Sequence, residues 1–184
     1  MKPFIIDAEK ALLLVIDFQE KLVPAIEGAE NVQKNIDILV KAAVTLRLPL
    51  KVTEQYPKGL GPTVTSVASS FPEGVQRFEK THFSCCAERG FTDYLAETGR
   101  SQVILCGVET HICVLATAME LLERGYQVVV TADGVGSRRP EHHDLALEAM
   151  RQAGALIVPM ETIVYQMLKR SGTAEFKALL AYFR

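Results

Sequence analysis

Cys113 stands where a thiol can do chemistry. The segment Gly107-Val-Glu-Thr-His-Ile-Cys113 follows an apolar run, Gln102-Val-Ile-Leu-Cys106, and opens an amphipathic run from Ile112 to Arg124. The spacing predicts a buried strand turning into a helix, with the thiol at the junction. A helix N-terminus carries unpaired N–H groups and a partial positive charge. A cysteine there tends to have a lowered pKa and to be nucleophilic. The same N–H groups can receive the oxyanion formed when a thiolate attacks a carbonyl. Two other strand ends carry charge. Ala11-Leu-Leu-Leu-Val-Ile-Asp17 is an apolar run closed by a carboxylate, and Val75-Gln-Arg-Phe-Glu79 leads into Lys80. In open α/β sheets the ligand crevice lies outside the carboxyl ends of the strands, so Asp17, Lys80 and Cys113 can converge. Each also has an ordinary role open to it. Cys113 can pack a helix start, Asp17 can cap a helix or shape a turn, and Lys80 can be solvated.

The elements that must hold these residues alternate along the chain. Leu48-Pro-Leu-Lys-Val-Thr53 reads as strand 2, after a helix with apolar positions Val32, Ile36, Leu39, Val40 and Ala43. A short helix around Phe91 and Leu95 ends at Gly99. The Cys113 helix ends near Gly125, a C-cap residue. Strand 5 is Gln127-Val-Val-Val-Thr131. Pro140 suits the first turn of a helix that stops near Gly154, and Ala155-Leu-Ile-Val158 is strand 6. The tail, Thr162 to Arg184, reads as two short helices with apolar stripes. Continuous apolar strands alternating with helices imply a parallel sheet covered on both faces. The expected architecture is a three-layer α/β/α Rossmann-like fold with six parallel strands in the order 3-2-1-4-5-6. That order sets Asp17 and Cys113 beside the switch point between strands 1 and 4. The stretch from Glu54 to Ser70, with Gly59, Gly61 and two prolines, is expected to be a long loop walling the site. Phe18, Gln19, Gln55, Tyr56 and Phe83 can touch a substrate there, or can serve loop packing or a subunit interface. Arg138 and Arg139 can bind a substrate carboxylate or face solvent.

Composition narrows the classes. The chain has 184 residues, which suits one domain over 1–184, and 48% of them are apolar. The formal net charge is −2 without a basic block, so no nucleic-acid partner is expected. No apolar run approaches the roughly 20 residues that span a bilayer, so no membrane role is expected. Met1-Lys-Pro-Phe-Ile-Ile-Asp7 lacks a signal-peptide shape, and four cysteines without secretory features suggest reduced thiols in the cytoplasm. The vicinal pair Cys85-Cys86 is expected to pack beside the site loop.

Three stretches carry a resemblance: Leu12-Leu-Leu-Val-Ile-Asp-Phe-Gln19, Phe78-Glu-Lys80-Thr-His-Phe-Ser84 and Gly107-Val-Glu-Thr110-His-Ile-Cys113. In order and spacing, over nearly the whole chain, they resemble the isochorismatase-like cysteine hydrolases. Val52-Thr-Glu-Gln-Tyr-Pro-Lys-Gly-Leu-Gly-Pro62 resembles the narrower branch of isochorismatase domain-containing proteins. The resemblance implies a triad in which Asp17 takes the proton of Cys113 and Lys80 holds Asp17. It implies a cis peptide between Val108 and Glu109, with the N–H groups of Glu109 and Cys113 forming an oxyanion hole. It also implies a small-molecule substrate and a homo-oligomer. The retained cysteine favours an amide, ureido or ester bond. Nicotinamidases of this superfamily carry an Asp-x-His metal motif after strand 2. Here Thr53-Glu-Gln-Tyr56 has no histidine, so no metal and no cofactor are expected. Two other readings stay open: a nucleotide or flavin binder, and a scaffold whose triad is a relic. Against the first, strand 1 runs into Asp17-Phe-Gln-Glu-Lys21 with no phosphate-binding glycines.

Overall fold

We describe the chain from a computed structural model over residues 4–183; Met1 to Pro3 of the N-terminal stretch and Arg184 lie outside the described residues. The strands are β1 (Ala11–Ile16), β2 (Leu50–Gln55), β3 (Arg77–Lys80), β4 (Gln102–Val108), β5 (Gln127–Gly136) and β6 (Leu156–Val158). The helices are α1 (Ala29–Leu46), α2 (Pro57–Leu60), α3 (Thr65–Ala68), α4 (Phe91–Ala96), α5 (Leu115–Glu123), α6 (Pro140–Ala153), α7 (Met160–Leu168) and α8 (Ala174–Leu180). All strands pair in parallel in the order β3-β2-β1-β4-β5-β6.

Alternation along each strand divides the core in two. Leu13 and Val15 of β1 join Ile104, Cys106 and Val108 of β4 and Val129 of β5 in a cluster closed by α1, α7 and α8. Leu12, Leu14 and Ile16 face the other way, with Val103, Leu105, Val128 and Val130, into a cluster closed by α4, α5 and α6. Both faces of the sheet are therefore covered, as its apolar strands require. All five apolar positions anticipated for α1 are buried, and so are Ile163, Val164, Met167, Leu168 and Leu179 of the tail. The tail stripes thus complete the core against α1 and do not form a free apolar surface. No helix among the described residues is long and apolar enough to cross a membrane.

Three local expectations are corrected. The stretch Glu54 to Ser70 is not a bare loop, because the last strand residues Glu54 and Gln55 extend β2 and α2 and α3 occupy much of the rest. β5 runs five residues past Thr131, to Gly136. A register shift in β4 between Leu105 and Gly107 lets Gly107 and Val108 pair with Val135 and Gly136. Gly136 serves close approach there: a Cβ on it would fall 2.7 Å from Ile26. Finally, the Cys113 helix does not begin as an α-helix. One wide, π-type turn over Thr110–Val114 precedes α5.

Candidate active site

The C-terminal ends of β1 and β4 meet at the reversal of strand order, and β3, at the sheet edge, ends on the same side. Asp17 follows β1 in a left-handed conformation, φ 50°, which Asp tolerates better than most residues. Gly107 makes that approach possible. Its φ is 116°, and a Cβ there would fall 2.0 Å from the Ile16 carbonyl oxygen, so only glycine fits beside Asp17. Lys80 closes β3, two strands away. Neighbouring strands lie about 4.8 Å apart, so this separation asks for a long side chain.

Lys80 reaches across. Its Nζ donates to Asp17 Oδ2 at 2.6 Å and to Gln55 Oε1 at 2.6 Å. It also lies 3.2 Å from the His82 carbonyl oxygen and 3.4 Å from that of Phe83. Both side chains of the ion pair are fully buried. Burial disfavours the ammonium, but the charge and hydrogen bond of Asp17, together with the nearby sulfurs of Cys85 and Cys113, outweigh it and hold Lys80 above the ordinary lysine value. Thr53 Oγ1 donates to the other carboxylate oxygen, Asp17 Oδ1, at 2.7 Å. Asp17 is thus gripped from both oxygens, an arrangement that keeps a buried charge paired and hydrogen-bonded.

Cys113 lies in the wide turn, which the Glu109 carbonyl opens by accepting from the N–H groups of Ile112 (3.1 Å) and Val114 (3.2 Å). Such turns are frequent at functional sites. The Val108–Glu109 peptide is cis. The thiol lies close enough to Asp17 and Lys80 for the charges of both to act on it. Here the structure corrects an expectation: Cys113 is not a low-pKa thiol. Burial pushes it up, the Asp17 carboxylate adds to the rise, and Lys80 offsets only part. The resting sulfur is a protonated thiol beside a carboxylate. A second thiol, Cys85, lies nearby, 3.9 Å from Thr53 Oγ1. Burial and then Asp17 push it up to about 12.

The remaining candidate residues separate. Phe18 is wholly buried in the larger apolar cluster and offers no side chain to a ligand. Gln19 is also wholly buried and ties the chain to itself: its Nε2 donates to the carbonyls of Gln55 (3.0 Å) and Gly61 (2.6 Å). Its Oε1 accepts from the Gln55 N–H at 2.7 Å. Neither residue supports the substrate-contact expectation. Gln55 is half-buried, and Tyr56 and Phe83 are exposed at 55% and 63%. Tyr56 and Lys80 help line a cavity of about 330 Å³ with Pro57, Lys58, Glu79, Thr81 and Glu88. A larger cavity, about 770 Å³, is bordered by Gln102 and Gln127 at the opposite ends of the strands, away from this chemistry. Arg138 is engaged by the protein: it chelates the buried Glu109 carboxylate, with Nη2 2.5 Å from Oε1 and Nε 3.0 Å from Oε2. Burial opposes that charge, but Arg138 outweighs it and holds the Glu109 carboxyl below its ordinary value. Arg139 is exposed. Thr53 escaped sequence reading. Only the pairing of Ile16 with Thr53 brings its hydroxyl to Asp17. Among the described residues, no three His, Cys, Asp or Glu side chains are arranged to hold a metal ion.

The isochorismatase domain family matches residues 11–162. Isochorismatase domain-containing protein 2 of Danio rerio is 38% identical over 169 residues, covering 92% of this chain and 84% of its own. The solved MAR1 ribonuclease of Caenorhabditis elegans is 35% identical, with a TM-score of 0.91 over 97% of this chain and 92% of that one. YcaC of Escherichia coli, an octameric hydrolase of unknown specificity, shares the fold with a TM-score of 0.91 at 24% identity, over 99% and 92% of the two chains. With the domain match and relatives of this identity along most of its length, this chain belongs to the isochorismatase family.

Proposed function

We propose that the chain is a cysteine hydrolase that opens a small-molecule amide, ureido or ester bond through an acyl-thioester on Cys113. The observation that carries the reading is the Cys113 thiol held beside the buried Asp17–Lys80 pair. Asp17 takes the thiol proton as Cys113 Sγ attacks the carbonyl carbon. The N–H groups of Glu109 and Cys113 receive the oxyanion. Asp17 returns the proton to the leaving nitrogen or oxygen as the bond breaks. It then takes a proton from the water that attacks the thioester and returns it to the departing Cys113 sulfur, which frees the acid and restores the thiol. The raised thiol pKa suits this sequence, because the base acts during attack and no standing thiolate is needed. Lys80 pairs with Asp17 and orients it, and does not touch substrate, since its hydrogens already have acceptors. A thiol nucleophile needs reduced sulfur, so we assign the protein to a reducing compartment such as the cytoplasm.

The test is a panel of small amides, ureides and esters, with mass spectrometry of acid-quenched protein to locate the acyl group and hydroxylamine, added afterwards, to release it as a hydroxamate. Acyl label on Cys113, and loss of turnover in Cys113→Ala with the fold intact, are expected. An active alanine variant, or label on Cys106, overturns the reading. An RNA substrate belongs in the panel because the Caenorhabditis relative is called a ribonuclease. RNA cleavage that needs Cys113 while every small molecule is untouched would replace the substrate class. If no substrate turns over and iodoacetamide labels Cys113 no faster than Cys106, the relic-triad scaffold is the better account.

A further inference from the structure

We propose that Gln55 is a positioning residue for the Asp17–Lys80 pair, a role that rests on the mechanism proposed above. The Gln55 carboxamide bridges two groups that allow only one orientation. Its Nε2 donates to the Thr81 carbonyl at 2.7 Å, and its Oε1 accepts from Lys80 Nζ at 2.6 Å. A flipped amide would set NH₂ against an ammonium and oxygen against a carbonyl, and both contacts would be lost.

The backbone of Gln55 is itself clamped. The side chain of Gln19 takes its N–H and donates to its carbonyl, at 2.7 and 3.0 Å. The Gln19 N–H donates in turn to the Asp17 carbonyl at 2.8 Å. The bonds therefore close a circuit: Asp17 to Lys80, Lys80 to Gln55, Gln55 to Gln19, Gln19 back to Asp17. Chemistry explains why the acceptor on Lys80 is an amide. A neutral oxygen holds one ammonium hydrogen without competing for the charge, which stays directed at Asp17. A carboxylate there would divide it. The neighbouring Glu54 has its carboxylate turned elsewhere, accepting from Thr63 N and Oγ1 at 2.7 Å. Adjacent residues on a strand point to opposite faces, so the charged side chain is kept off Lys80 and the neutral one is aimed at it.

The experiment reads iodoacetamide labelling of each cysteine in the full-length protein at neutral pH, with the melting temperature measured alongside. Gln55→Met keeps the length and removes the acceptor. It should slow labelling of Cys113 roughly tenfold, the size of one lost hydrogen bond to a charged group. The wholly buried Cys106 should stay protected. Lys80→Met, which removes the cation that offsets part of the rise of the Cys113 thiol, is run beside it. If Lys80→Met slows Cys113 and Gln55→Met does not, the positioning role is wrong and the mechanism stands. If neither slows it, the mechanism itself fails and takes this role with it. Gln55→Leu is the second variant. Should both Gln55 variants open the fold, so that Cys106 labels as fast as Cys113, Gln55 is a structural strut and the proposal is overturned.

Discussion

Lys80 has three hydrogens and four oxygen acceptors around it, two of them at 2.6 Å. Under the proposed mechanism its whole effect passes through Asp17. Asp17→Asn keeps the shape but removes the base, so acylation should slow by about 10² to 10⁴. Lys80→Met should cost a similar factor. Because the two act as a unit, the double variant should lose little more than the worse single one. Additive losses in that cycle would mean that Lys80 reaches substrate on its own. Arg138 makes a different residue-scale prediction. Arg138→Ala strips the guanidinium from the buried Glu109 carboxylate, leaving only the backbone N–H of residue 138, and should destabilise the fold by about 1–3 kcal/mol at neutral pH. The folded Glu109 carboxyl lies below its ordinary value. The pair therefore stabilises above the unfolded carboxylate range, and that stabilisation is lost as pH falls through the lowered folded value. Melting curves of the two proteins should converge on acidification, and a gap that widens would contradict the assignment. Asp17, Lys80 and Cys113 were legible because charge or sulfur at the end of an apolar strand is visible in sequence. The duties of Phe18, Gln19, Thr53 and Arg138 were not, because each depends on which neighbour strand pairing brings within reach.

Among the elements, the junction of β4 with the wide turn is the most constrained. Gly107 lies against the Ile16 backbone, and neither strand can retreat, since six residue pairs join β1 and β4. Gly107→Ala adds both a forbidden φ and a main-chain clash. It should cost at least about 3 kcal/mol and abolish activity in whatever fraction folds. A melting temperature close to that of the wild type would show that the junction gives more easily than its packing implies. The strands of the sheet core were readable from apolar runs alone. The second half of β5 was not, because Ala132-Asp-Gly-Val-Gly136 carries a turn's composition and is held as strand by pairing with the far end of β4. The wide turn was also hidden. Periodicity reports that a helix follows Cys113, but the first-turn geometry is set by the Glu109 carbonyl accepting from two N–H groups.

At the scale of the whole molecule, the two faces of the sheet are sealed, but the edge where the strands end is not. Tyr56 and Phe83 expose 55% and 63% of their surface after β2 and β3, and the buried Asp17–Lys80 pair lies between the same strands and β1. Single exposed aromatics are ordinary. Two at the rim of a buried ion pair call for a cover, and a second copy of the chain is the simplest one. The tail helices cannot supply it, because their apolar stripes are already buried against α1. The protein is therefore expected to be a homo-oligomer that closes over this rim. Light scattering at micromolar concentration should give a multiple of 20.3 kDa. Phe83→Glu should shift the mass toward the monomer and expose Cys113 to iodoacetamide, while the melting curve of the separated chain stays cooperative. A wild-type mass of one chain would leave the rim open to water, and the cover would have to be the substrate itself.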